Sequence, residues 1–273
     1  MRQWRKWNMQ ERKKKLSEYS GPDRVVTAAE MAAKFANQPD ALVKIKTTIP
    51  SLDKACGGWL QSGELYTISG FTKNGKTLLA QTMSVNFADQ GEIPLWFSYE
   101  VPARQFINQF PRTPDLFMPL ELKPHSMEWV EERIMEALIK YGTRTVFIDH
   151  LHYLFDIGRS RNPSLDIGEI VRRLKGWTVK HELIIFLLCH TQQPRMGDSG
   201  LGYEKIRDSS FVAQESDSVF MIARTPTDQN KNLAQMRVEF HRRSGAMKEV
   251  IDLTKRGHWL FEITGRSNDY DRY

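Results

Sequence analysis

The stretch richest in chemistry runs Gly70-Phe-Thr72-Lys73-Asn74-Gly75-Lys76-Thr77. Two glycines with four residues between them, followed by Lys-Thr, have the spacing of a loop that cradles phosphates. The glycines are expected to let the backbone curl so that successive N–H groups face a phosphate chain, with a helix N-terminus behind them. Lys76 is expected to neutralise the β- and γ-phosphates, and the Thr77 hydroxyl to hold Mg²⁺. The implied ligands are a nucleoside triphosphate and Mg²⁺. An ordinary glycine turn is the competing reading, and the apolar strand before the loop and the periodic helix after it argue against that.

A phosphate loop needs a carboxylate at a strand end to reach the metal, and Thr145-Val-Phe-Ile-Asp149 supplies one. Asp149 could otherwise cap the next turn. Hydrolysis also needs a base to orient water. Trp96-Phe-Ser-Tyr-Glu100 ends another apolar strand in a carboxylate. Glu100 would face the γ-phosphate if that strand neighbours the phosphate-loop strand; the alternative is a surface glutamate at a strand end.

The elements that must hold these groups follow from periodicity. Leu65–Ser69, Pro94–Tyr99, Thr145–Ile148 and Leu183–Cys189 read as strands. Between them, Lys76–Gln90, Pro102–Phe110, Met127–Tyr141 and Leu165–His181 read as helices. Ser218–Ala223, Met236–His241, Val250–Leu253 and Trp259–Ile263 are further strands without helices between them, hence hairpin-like. The fold class expected is α/β: a mostly parallel central sheet flanked by helices, with antiparallel C-terminal strands.

Composition narrows the class. A chain of 273 residues with 40% hydrophobic and 26% charged residues has the balance of a globular protein. No apolar run approaches the length of a membrane span. Two cysteines, Cys56 and Cys189, cannot build a disulfide framework or a zinc cluster, so a reducing compartment is expected. The net charge of +6 is concentrated at the start: residues 1–20 hold seven Lys/Arg against Glu11 and Glu18. With Trp4, Trp7 and Tyr19 this leader suits nucleic-acid contact, a solvated tail, or a helix docked on a neighbouring subunit. Thr27-Ala-Ala-Glu30 is a capping box opening a short helix to about Ala36.

Taken together, the motifs resemble the RecA-like ATPase domain of ring-shaped replicative helicases. The type is that of DnaB, and the pattern is most similar to the phage replicative helicases and mitochondrial Twinkle. The segments that carry the resemblance are Thr48–Gly63, the phosphate loop, Phe97-Ser-Tyr-Glu100-Val-Pro, Ile148-Asp149-His-Leu, Cys189-His190 with the segment 206–217, and His241-Arg-Arg243-Ser-Gly245. They span about residues 46 to 263, which implies a basic arm and linker helix at 1–45, a RecA-like motor domain at 46–264 and a polar tail at 265–273. The resemblance implies that Lys76, Glu100, His190 and Arg243 are catalytic. Glu100 activates water, His190 senses the γ-phosphate, and Arg243 is a finger reaching into the adjacent subunit's site. Thr77 and Asp149 serve the metal, and Arg224 lies against the adenine. Arg195, Lys205 and Arg207 in central-channel loops contact the phosphate backbone of DNA, with Arg159 and Arg161 as weaker candidates.

The chain departs from the family in having His241 where a lysine usually stands two residues before the finger, so the rate or its pH dependence should differ, or Arg242 substitutes. It also shows no primase-like or DnaB-type N-terminal domain. The function implied is an ATP-dependent hexameric DNA helicase, a single-stranded DNA translocase acting in replication. Its expected partners are single-stranded or forked DNA, further copies of the chain in a ring, and a primase, polymerase or loader, with no membrane. Its location would be cytoplasmic (the host's, if viral), or an organelle matrix. A RecA/RadA-type recombinase or KaiC-like ATPase is the alternative, and an ATP-gated replication scaffold without turnover a further one.

Overall fold

The computed structural model describes residues 9–36, 42–110, 112–155, 162–191, 201–202, 206, 209–225 and 232–264. The chain divides into two compact units, Met1–Ala41 and Leu42–Tyr273. The first contains helices α1 (Met9–Ser17) and α2 (Ala28–Ala36). The capping box forms as its spacing predicts: the Thr27 N–H donates to Glu30 Oε2 at 2.8 Å and the Glu30 N–H to Thr27 Oγ1 at 3.2 Å. Neither helix buries a side chain.

The second unit runs β1 (Lys44–Ile45), α3 (Pro50–Ala55), β2 (Leu60–Gln61), β3 (Leu65–Gly70), α4 (Lys76–Ala88), β4 (Leu95–Ser98) and α5 (Ala103–Ile107). It continues with α6 (Met127–Tyr141), β5 (Thr145–Asp149), α7 (Pro163–His181), β6 (Ile184–His190) and α8 (Ser209–Glu215). Strands β7 (Ser218–Arg224), β8 (Leu233–His241), β9 (Met247–Arg256) and β10 (Trp259–Glu262) complete it. Eight strands form one sheet in the order β10-β9-β8-β7-β3-β6-β5-β4. The strands from β7 to β4 are parallel, and β8, β9 and β10 add to them antiparallel. This is the mostly parallel α/β sheet that the alternating strands and helices predict, a RecA-like P-loop fold. Among the described residues no helix is long and apolar enough to cross a membrane.

Strand β6 reads as a continuous apolar run and β3 is buried along its whole length although Thr67 and Ser69 interrupt its apolar residues, and alternate residues of both feed two cores. One core contains a ladder of aromatic rings at a single register across four strands. Tyr66 pairs with Phe186, Phe186 with Phe147 and Phe147 with Trp96. Their ring centroids stand 5.2, 4.5 and 4.7 Å apart, all stacked. Burying a ring removes some 150–250 Å² from water, so this ladder fixes the lateral register of the strands whose ends carry the chemistry. Trp96 then donates its indole N–H to Ser84 Oγ at 2.8 Å, which ties α4 to the same layer.

Among the described residues the periodicity misses the two-residue strands β1 and β2 and three short helices. Helix α3 has too few residues to show a helical period, yet Pro50 opens it and Asp53 anchors it, accepting from the Thr47 N–H at 2.7 Å. Helices α1 and α8 are the others, one lost in a charge run and the other in a polar segment.

Candidate nucleotide site

Strand β3 ends at Gly70 and α4 begins at Lys76, so the loop between them lies at the C-terminal edge of the sheet, where α/β folds bind ligands. The two motif glycines are needed for different reasons. Gly75 has φ +99°, the left-handed region. Gly70 does not; a Cβ there would stand 2.2 Å from the Ile222 carbonyl oxygen of β7. The expectation that both glycines serve the curl of the loop therefore holds for Gly75 only, and Gly70 serves strand packing. Lys73 also has a positive φ, 66°, and Asn74 Oδ1 accepts from the Arg224 N–H at 3.2 Å, joining the loop to the end of β7. Thr72 is exposed.

Lys76 is buried, and its ammonium donates to the carbonyls of Gly70 at 3.0 Å and Phe71 at 3.3 Å. It also lies 3.1 Å from His190 Nδ1 at the end of β6. Burial pulls this ammonium below the usual lysine range, opposed by the charges of Asp149 and Glu100. Phosphate oxygens would restore the balance. Thr77 donates its hydroxyl hydrogen to Asp149 Oδ2 at 2.9 Å. Asp149 is 1% exposed and its other oxygen, Oδ1, is buried without a hydrogen-bond partner. Burial raises its pKa; the Thr77 hydrogen bond opposes the rise and the Glu100 charge adds to it. A hydroxyl touching a carboxylate with an orphaned buried oxygen is a fitting donor set for Mg²⁺, whose charge would hold Asp149 ionised.

Glu100 reaches this cluster by a route the sequence does not reveal. Strand β4 is the edge strand, and β5 and β6 separate it from β3, so the condition of neighbouring strands is not met. Instead the chain leaving β4 folds over the end of β5: the Tyr99 N–H donates to the Asp149 carbonyl at 2.7 Å. That turn carries Glu100 Oε2 to 3.6 Å from His190 Nε2 and 3.6 Å from His150 Nδ1. The imidazole of His150, then that of His190, hold its carboxyl well below the usual carboxylate range. Lys76, Thr77, Glu100, His190 and Arg224 share one cavity of about 510 Å³.

Sequence reasoning missed part of its lining. Lys255 and His258 flank the β9–β10 turn, and Gln81 and Asn108 add amide groups. Leu260 of β10 donates its N–H to Thr82 Oγ1 of α4 at 3.1 Å, which is why that turn sits by the loop. Nothing local in Lys-Arg-Gly-His predicts this, since pairing distant in sequence positions it. His150 was findable, being next to the metal-site aspartate.

Arg243 is not in the cavity. His241 pairs with Ser218, which aligns with Tyr66 near the start of β3, so Arg243 lies at the opposite sheet edge from the phosphate loop. Its Nε donates to Glu64 Oε1 at 2.8 Å and an NH2 hydrogen to the Trp59 carbonyl at 2.7 Å. Burial raises the Glu64 pKa, yet the His241 imidazole, the Arg243 guanidinium and the Tyr66 hydroxyl beside it outweigh it and hold the carboxyl at about 2. His241, expected from the helicase resemblance to be a lysine, is buried against Tyr66 and its Nδ1 accepts from the Ser244 N–H at 3.1 Å. Arg242 donates to the Gln214 carbonyl, so within this chain its guanidinium is engaged away from Arg243's partners. Arg159, Arg161, Arg195, Lys205 and Arg207 lie outside the described residues, as does the tail 265–273.

A search of curated proteins finds no match. The AAA domain family matches residues 31–196, which takes in the phosphate loop, Glu100, Asp149 and His190 and stops before Arg224 and Arg243. With a buried lysine and a half-buried threonine set behind a phosphate loop, and that match over more than half its length, the chain belongs to the AAA domain family of P-loop ATPases.

Proposed function

We propose that the chain is a ring-forming, DNA-translocating ATPase, most simply a hexameric replicative helicase of the DnaB type. One observation carries this reading. The phosphate-binding cluster and Arg243 lie at opposite edges of one sheet, so an arginine that completes a site does so for another copy. ATP would sit between subunits. Lys76 would bind the phosphates, Thr77 and Asp149 would hold Mg²⁺, and Glu100 would take the proton of the attacking water while His190 reads the γ-phosphate. The metal supplies charge neutralisation on the phosphates. Arg243 of the adjacent copy would stabilise charge on the transferring phosphoryl group. Arg224, Lys255 and His258 suit the nucleoside end of the cavity. Arg195, Lys205 and Arg207 would contact the strand's phosphates without reading bases. A primase, polymerase or loader would meet the ring elsewhere.

Steady-state ATPase with and without single-stranded DNA, at low and moderate salt, tests this. Stimulation that fades steeply as salt rises is the expected result, since backbone contacts release counterions. An active enzyme indifferent to DNA would overturn the helicase reading in favour of a KaiC-like ATPase.

A further inference from the structure

Glu100, His150 and His190 present three ligand atoms that lie within 4.8 Å of one another. Glu100 Oε2 is 3.6 Å from His150 Nδ1 and 3.6 Å from His190 Nε2. These separations are long for hydrogen bonds, which cluster between about 2.7 and 3.2 Å. They are close to the edge of a zinc tetrahedron, about 3.3 Å for bonds near 2.05 Å. His150 is 9% exposed, and its Nδ1 is buried with no hydrogen-bond partner. An unpartnered imidazole nitrogen facing a carboxylate and a second imidazole is a desolvated lone pair awaiting a cation.

We infer that Glu100, His150 and His190 form a binding site for a transition-metal ion of the zinc class, distinct from the magnesium set at Thr77 and Asp149. Imidazole nitrogens suit Zn²⁺, Cu²⁺ or Ni²⁺, whereas Mg²⁺ takes oxygen ligands. Closing the site needs the two carboxylate–imidazole separations to shorten by a few tenths of an ångström, the two imidazole nitrogens to draw together from within 4.8 Å, and one exchanged hydrogen bond. With Nε2 on the metal, His190 carries its proton on Nδ1 and no longer accepts from Lys76, which keeps the Gly70 and Phe71 carbonyls. The fourth position faces the cavity, open to water or a phosphate oxygen. If Glu100 and His190 act in hydrolysis as proposed above, the ion occupies the lone pairs they use and stops turnover. Binding itself does not depend on that reading.

The test is titration of the nucleotide-free full chain, in buffer without Mg²⁺, with Co²⁺ and then Zn²⁺. The expected result is one ion per chain, tetrahedral Co²⁺ visible bands that Zn²⁺ bleaches, and at least tenfold weaker binding in both His150→Ala and Glu100→Gln. Thermal melts confirm that each variant is folded, and Asp149→Asn should still bind. Micromolar Zn²⁺ should inhibit the magnesium-dependent ATPase reversibly, with recovery on adding a chelator. No stoichiometric binding would overturn the proposal. So would unchanged affinity in His150→Ala with loss in Asp149→Asn, or a thiolate charge-transfer band pointing to Cys56 or Cys189. Stoichiometric binding without inhibition would leave the site standing and instead count against hydrolytic roles for Glu100 and His190.

Discussion

The two edges of the central sheet are built on opposite principles. At the C-terminal edge, Lys76, Asp149 and Glu100 are brought together with backbone carbonyls, a hydroxyl and imidazoles as partners, and Asp149 Oδ1 has none. That edge is preorganised for charge that arrives with a ligand. At the N-terminal edge, Arg243 is already paired with Glu64 of its own chain, and the pair is closed by Tyr66 and His241. One edge holds unmet electrostatic demand, whereas at the other the Glu64 and Arg243 charges meet each other, although His241 Nε2 beside them makes no hydrogen bond. Glu64 is buried while Arg243 is partly exposed, so withdrawing the arginine leaves a buried carboxylate short of a partner, and Arg243 leaves Glu64 only where stronger negative charge is offered. On the function proposed above, a triphosphate on a neighbouring copy would offer that.

The comparison can be broken at either edge. The largest effect should come from Glu100→Gln: nucleotide binding is retained and turnover falls about 10²- to 10⁴-fold, as read by equilibrium binding beside steady-state rates. Turnover near wild type would remove Glu100 as the base. Between the edges, Phe147→Ala deletes the ring at the centre of the aromatic ladder and should cost about 3–5 kcal/mol in chemical denaturation. A loss under about 1 kcal/mol would mean that the ladder does not set the register.

Acid should act on the N-terminal edge. Glu64 has a folded pKa of about 2, depressed from the ordinary 4.5, so its stabilisation is full above about pH 4.5 and is lost as pH falls toward 2. The stability difference between wild type and Glu64→Gln should therefore shrink by about 3 kcal/mol across that window. A difference independent of pH there would show that the pair does not form. The smallest effect belongs to the separate N-terminal unit: Thr27→Ala should cost about 1 kcal/mol of α2 helicity, measured by circular dichroism on the isolated segment. No loss would mean that the box does not hold the helix start.

Most of the fold was legible because long apolar runs betray buried parallel strands. Met127–Tyr141 has the bounds that Ser126 and Gly142 predict, the Ser126 hydroxyl accepting from the Trp129 N–H. The phosphate loop was legible for a similar reason, since its chemistry is confined to consecutive residues. What escaped depends on pairing between distant segments. The inference about Glu100 assumed that β4 lies next to β3; the structure has β4 at the edge, and only the turn over Asp149 carries the side chain inward. Lys255 and His258 arrive on a hairpin that no local pattern ties to the loop. Gly70 looked like a loop residue, and its neighbour across the sheet, Ile222, is what requires it.

The central claim, that the two edges complete one site only between copies, is tested most directly by mixing two dead variants. Lys76→Ala lacks the phosphate-binding cation and Arg243→Ala lacks the opposite one, so each alone should be nearly inactive. In an equal mixture, random assortment pairs an intact Lys76 with an intact Arg243 at about a quarter of the interfaces. The account predicts that ATPase activity reappears on mixing, toward that fraction of the wild-type rate. A mixture no more active than the sum of its parts, with both variants assembled, would contradict it.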